Sequence, residues 1–202
     1  MTLVIGDKTL SSWSMRPWLL MKYFRVPFEE VLIRLDRPET HASILKYSPS
    51  GKVPALIDGD LVVWESLAIM EYLHDKFPEK KMYPLDLKTR AYARSLAHEM
   101  HAGFLKMRQH MSFSATKTFK NFDCSPAIDD INRVKNLWSE SLKQSGGPFL
   151  MGEFTIVDAM YAPVVGRFAT YGVALTGALH NYSREVMEQP MVRQWYSEAL
   201  AE

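Results

Sequence analysis

Residues 50–73 read SGKVPALIDGDLVVWESLAIMEYL. Two short, apolar, β-branched runs flank Asp58-Gly59. That dipeptide tolerates the positive φ of a tight turn, so the segment predicts an antiparallel hairpin. Glu65-Ser66 follow at once, and apolar residues then recur at Leu67, Ile69, Met70, Tyr72, Leu73 and Phe77. This spacing predicts a helix that starts at the end of the second strand.

Working outward, Thr2–Ile5 is a short β-prone run ending at Gly6. The segment RPWLLMKYF (16–24) predicts a helix apolar around much of its circumference, with Pro17 in its first turn. FEEVLIRL (28–35) is a second strand, and Arg37–Tyr47 a modest helix stopped by Ser48-Pro49-Ser50-Gly51. The order to residue 78 is therefore β-α-β-α-β-β-α. FPEKKMYPLD (77–86), with two prolines and a charge run, reads as a linker. Beyond it only helical patterns appear, at Lys88–His110, Ala127–Gln144, Thr155–Tyr171 and Met191–Ala201. Breaks are expected at 113–126, 146–148 and 172–180. The expected architecture is an α/β domain (1–80) followed by an all-α domain (87–202).

Composition narrows the function. The chain has 202 residues, 47% hydrophobic and 23% charged, with 24 Lys+Arg against 23 Asp+Glu. So balanced a charge argues against an electrostatic nucleic-acid binder. Aromatic residues at 12% argue against disorder. One cysteine, Cys124, excludes an internal disulfide framework and any multi-cysteine metal site. There is no apolar run of membrane-spanning length and no secretory pattern at the start, so a soluble cytoplasmic protein is expected.

Three places suit chemistry. Ser11-Ser12-Trp13-Ser14 sits at a strand-to-helix junction, where unpaired N–H groups and a serine hydroxyl can stabilise a thiolate. Ordinary capping by Ser14, with Ser11 and Ser12 as loop residues, is the commoner reason for serines at such a place. Gly51-Lys52-Val53-Pro54 precedes a strand. If the Val53–Pro54 bond is cis, the Val53 N–H and C=O face outward for an extended peptide; if trans, the proline simply starts an edge strand. Glu65-Ser66 suits an ammonium and a carboxylate, or is a plain helix start.

Taken together, SSWSMRPWLL (11–20), SGKVPALIDGD (50–60), WESLAIMEYL (64–73) and FTIVDAMYAPVVGRF (154–168) resemble the glutathione transferase superfamily over nearly the whole chain. The serine-rich opening is similar to its serine-type, zeta-like members. The resemblance implies a thioredoxin-like domain followed by a helical bundle, and a cis Pro54. It implies glutathione as co-substrate and no metal. Val53 would pair with the cysteinyl backbone, and Glu65 and Ser66 would hold the γ-glutamyl end. Lys52 would approach the glycine carboxylate. Ser11 would stabilise the thiolate, with Ser12, Trp13 and Ser14 beside it.

The implied activity is conjugation of glutathione to a small, largely apolar electrophile, a detoxification reaction in a cytoplasmic homodimer. Neither a membrane nor a nucleic acid is an expected partner. The alternatives are a maleylacetoacetate isomerase-like reaction, a glutathione-dependent peroxidase activity, and a non-catalytic glutathione-binding module. Trp13 stands where the zeta motif has cysteine, Met15 replaces a tryptophan, and the Asp158-to-Arg167 spacing departs from the isomerase pattern.

Thr155-x-x-Asp158 has the form of a capping box and reads as structural. Cys124 reads as incidental. His98 and His101, three apart on one helix, lack a third metal ligand. Met100, Met107 and Met111 fit either a pocket wall or the core.

Overall fold

The computed structural model describes all 202 residues. β1 (Thr2–Gly6), α1 (Ser12–Tyr23), β2 (Glu29–Ile33), α2 (Thr40–Leu45), β3 (Ala55–Asp58), β4 (Leu61–Trp64) and α3 (Ser66–Lys76) form the α/β part. The sheet order is β2-β1-β3-β4, with β1 and β2 parallel and the other two pairings antiparallel. This is a thioredoxin-like sheet. Leu3, Ile5 and Leu56 join the large core beneath α1 and α3, while Val4, Ile33 and Ala55 pack with α2 on the opposite face. The period-2 alternation of strand side chains explains that division.

The helical part comprises α4 (Leu87–Ala102), α5 (Leu105–His110), α6 (Ile128–Ser145), α7 (Ile156–Thr170), α8 (Gly177–Glu188) and α9 (Pro190–Ala201). α7 is central, and every one of its residues except Ala169 is buried. The expected capping box is present. Thr155 Oγ1 accepts from the Val157 N–H, and the Asp158 carboxylate accepts from the Thr155 N–H at 2.9 Å and the Leu150 N–H at 3.0 Å. One cluster of 47 buried apolar residues runs through both parts, so α1 packs directly on α7.

Four sequence expectations are corrected. α1 begins at Ser12, so Pro17 lies inside the helix and not in its first turn. Ser11 caps that earlier start, and Trp13 O loses the N–H that a non-proline residue 17 would donate. The hairpin pairs Asp58 with Leu61, which makes Gly59-Asp60 the two-residue turn, with positive φ (+59°) at Gly59 only. That is the glycine-first form of hairpin turn. The single helix expected over 88–110 is two, separated by Gly103 and by Phe104 at φ +61°. A Cβ at Gly103 would lie 2.8 Å from Glu99 O, so only glycine closes α4 this tightly. Finally, α8 occupies part of the expected break at 172–180. Leu179, Tyr182 and Val186 carry its inward face, an i, i+3, i+7 pattern that the neighbouring Gly177 obscured.

Candidate functional site

β1 delivers the chain to the N-terminus of α1, and the α2–β3 loop and the start of α3 lie beside it. A cleft of about 260 Å³ is lined by Trp13, Ser50, Lys52, Val53, Pro54, Glu65 and His101. Trp13 comes from α1, residues 50–54 from the α2–β3 loop and Glu65 from the start of α3, all in the α/β part, whereas His101 comes from α4. The site therefore lies where the two parts of the chain meet.

The Val53–Pro54 peptide bond is cis. No backbone or side-chain group of the chain bonds the Val53 N–H or C=O, whereas Ala55 onward is paired in the sheet. An extended donor–acceptor pair thus stands free at the cleft wall. Ser50 Oγ accepts from the Lys52 N–H at 3.2 Å and shapes this loop. The Lys52 side chain is exposed.

Glu65 has φ +71°, a conformation that costs a non-glycine residue free energy and turns the chain abruptly from β4 into α3. Its side chain is half exposed and lies 3.8 Å from His101 Nε2. Burial holds the His101 imidazole below its ordinary pKa; Glu65 opposes this, while Arg16, Arg108 and His98 add to it. Ser66, the first residue of α3, is 1% exposed, and its Oγ has no hydrogen-bond partner. A buried hydroxyl without a partner at a helix N-terminus is suited to an incoming carboxylate.

The serine cluster has a definite order. Ser11 Oγ accepts from the Ser14 N–H at 3.3 Å and donates to Ser14 Oγ at 2.7 Å. Ser14 Oγ also accepts from the Gly6 N–H at 3.1 Å, which ties the end of β1 to α1. Ser11, not Ser14, is thus the helix cap. Ser12 Oγ accepts from Arg167 Nη2 at 3.4 Å. None of the three hydroxyls lines the cleft; Trp13 does.

The remaining candidates fall outside the site. Met100, Met107 and Met111 are fully buried in the core and line no part of this cleft. Cys124 is half-buried with Sγ 3.9 Å from Tyr171 O, and burial together with Asp123 pushes its thiol up, away from reactivity. His98 Nδ1 lies 2.8 Å from Arg94 O within its own helix. No group of three or more His, Cys, Asp or Glu side chains is arranged to hold a metal ion. The sequence reading passed over Arg16 and Arg108. Both pack on Trp13, but their positions in the pattern carry no sign of it.

Comparison with known proteins gives a consistent result. Residues 10–76 match the family model described as glutathione S-transferase, N-terminal domain. A stringent starvation protein A homolog from Histophilus somni is 27% identical over 174 residues, 83% of this chain and 76% of that protein. A probable maleylacetoacetate isomerase from Caenorhabditis elegans is 28% identical over 160 residues, 76% of this chain and 72% of that one. Among solved structures, a glutathione transferase homolog from Burkholderia with bound glutathione aligns with a TM-score of 0.73 at 21% identity, over 100% of this chain and 98% of the other. With the thioredoxin-like sheet, the cis proline and the Glu65-Ser66 helix start in place, residues 10–76 form a glutathione S-transferase N-terminal domain, and the whole chain has the fold of the solved glutathione transferases.

Proposed function

We propose that this protein binds reduced glutathione in the cleft and joins its sulfur to a small electrophile. The observation that carries the reading is the unpaired Val53 N–H and C=O ahead of cis Pro54, together with the partnerless Ser66 hydroxyl at the start of α3. Val53 takes the cysteinyl main chain, and Ser66 with the α3 N-terminus takes the γ-glutamyl carboxylate. Glu65 takes the γ-glutamyl ammonium, and Lys52 the glycine carboxylate.

The sulfur then falls to the N-terminus of α1. Ser11 donates to it by turning its proton away from Ser14 Oγ. The cost is small, because Ser14 Oγ keeps the Gly6 N–H. Ser12, with Arg167 donating to its oxygen, is the second candidate for this role. The thiolate attacks the electrophilic carbon, and the leaving group departs with the electron pair. In a glutathione-dependent isomerisation, the thiolate would add and later leave instead. That variant draws on the similarity to the maleylacetoacetate isomerase of C. elegans.

A second reading, glutathione binding without turnover, draws on the similarity to the stringent starvation protein A homolog. Calorimetry with reduced glutathione followed by assay with a generic aryl halide separates the two. Binding with turnover supports the transferase, binding without turnover the module, and absence of binding removes both. We further propose a homodimer, for which exposed Leu61 and Trp64 on β4 and Leu85 and Leu87 at the start of α4 offer apolar surface. Light scattering tests this. Detoxification in the cytoplasm is the role that fits the transferase; no helix is long and apolar enough to cross a membrane.

A further inference from the structure

The loop between β1 and α1 leads to Ser11, and the helical part holds its middle. Glu202, just beyond α9, turns its carboxylate onto that loop. Oε1 accepts from the Lys8 N–H at 2.8 Å and Oε2 from the Thr9 N–H at 3.1 Å. Thr9 Oγ1 lies 3.0 Å from the same Oε2 and 3.2 Å from Ala199 O. Lys8 O accepts from Trp195 Nε1 at 3.0 Å, and Thr9 O from the Ala115 N–H at 3.0 Å. All four backbone polar groups of Lys8 and Thr9 thus find their partners in the helical part, none nearer in sequence than Ala115. The Lys8 ammonium is fixed as well, between Glu30 of β2 and Glu198 of α9 and beside the Trp18 and Trp195 rings. Within the loop, Asp7 O accepts from the Ser11 N–H at 2.8 Å. Lys8 and Thr9 therefore form the near end of a turn whose far end is Ser11.

A glutamate ordinarily keeps its carboxylate in water, yet the Glu202 side chain is only 10% exposed. Arg34 stands 3.8 Å from it but donates to Asp7 at 2.8 Å, so the two amides are its principal partners. Hydrogen bonds from amides to an ionised acceptor are the stronger kind. Packing of α9 on α1 does not require them, since Trp195 already meets Trp18 edge-on. Released from Glu202, the Lys8 and Thr9 N–H groups would have to find water, and the turn would be free to shift. A hydroxyl that stabilises a thiolate tolerates little displacement.

We propose that Glu202 is a positioning residue: by clamping the Lys8 and Thr9 amides it sets where Ser11 stands against the glutathione sulfur. This rests on the reading of Ser11 given above and extends it to a residue outside the cleft.

The test compares Glu202→Ala and Glu202→Gln with the unaltered protein by ultraviolet pH titration of bound glutathione, which needs no turnover, and by steady-state kinetics with chlorodinitrobenzene. Loss of a negative charge by itself favours a nearby thiolate, so a field effect would lower the thiol pKa. Loss of positioning raises it. Glu202→Ala is expected to raise it by about half to one unit and to lower kcat about 3- to 10-fold below the new pKa. Glu202→Gln keeps one acceptor oxygen and should fall between; it decides if the alanine variant does not fold. KM for glutathione should stay within about twofold, because Val53, Glu65 and Ser66 share no hydrogen bond with this loop. A thiol pKa that falls or stays put in both variants overturns the proposal. In the free protein, the Lys8 and Thr9 amides should exchange hydrogen at least about tenfold faster in Glu202→Ala; unchanged exchange overturns the clamp by itself. Should the unaltered protein take up no glutathione, the proposed function falls first, and this role with it.

Discussion

Replacing Ser11 with alanine removes a hydroxyl that serves both the fold and, on the proposed mechanism, the sulfur. Lowering a thiol pKa from about 8.5 to about 6.5 requires roughly 2.7 kcal/mol. A hydroxyl hydrogen bond to a charged acceptor supplies about 1.5–3 kcal/mol, and a helix N-terminus about 0.3–1 kcal/mol. Ser11→Ala keeps the helix terminus and loses the hydroxyl, so the pKa of bound glutathione should rise by about one to two units. The assay is thiolate ultraviolet absorbance against pH, with and without saturating glutathione. Turnover below the new pKa should fall about 10- to 100-fold. The fold loses the Ser14 N–H cap, worth about 1 kcal/mol; Ser14 Oγ retains the Gly6 N–H, so the protein stays folded. An unchanged thiol pKa in folded Ser11→Ala protein refutes the assignment. If Ser12→Ala then raises the pKa, the role belongs to the serine that Arg167 touches.

Other outcomes follow from the same geometry. Ser66→Ala should leave thermal stability unchanged or slightly higher, because Ser66 Oγ has no partner to lose, yet weaken glutathione about 10-fold or more by calorimetry. Equal affinity would detach Ser66 from the site. Asp158→Ala strands the Leu150 and Thr155 N–H groups in the core, so a urea titration should show a loss of about 2–5 kcal/mol; a loss under 1 kcal/mol would mean that the capping box matters little. Stability should also fall on acidification from about pH 7.5 to 6. Burial lowers the pKa of His74 and His101, so the unfolded chain takes up protons there before the folded one does. Asp158 acts in the opposite sense. Burial raises it from 3.8 to about 6, so its protonation favours the folded state as pH drops below that value. A urea midpoint that rises between pH 7.5 and 6, or a slope unaltered by His74→Phe, would contradict this.

Much of the fold was legible because its signals are local. Alternating β-branched runs around Gly59, the Thr155–Asp158 box and the apolar periodicity of α3 each depend on neighbours a few residues apart. The errors also have local causes. Pro17 suggested a helix start, but Ser11 caps the chain earlier and the helix accommodates the proline at its sixth position. Gly103 is the usual kind of helix stop, and it was passed over because the apolar pattern runs across it into α5. In the site, Val53, Pro54 and Glu65 came from one contiguous stretch and line the cleft together, with Ser66 buried next to Glu65 at the start of α3. Arg16 and Arg108 went unread because a lone arginine in an amphipathic helix is indistinguishable from a solvated one.

From the chain alone came the β-α-β-α-β-β-α order of the first part, the position of the cleft-forming loop and the resemblance to the glutathione transferases. These rest on backbone preferences and short-range patterns that each segment carries by itself. Only the packed structure decided that Ser11 rather than Ser14 caps α1, that Met100, Met107 and Met111 belong to the core, and that Arg16 and Arg108 pack on Trp13 while Arg167 reaches the neighbouring Ser12. Those outcomes depend on which faces meet when α1 packs on α7. An unpaired charge acquires its meaning only once the surrounding water has been removed.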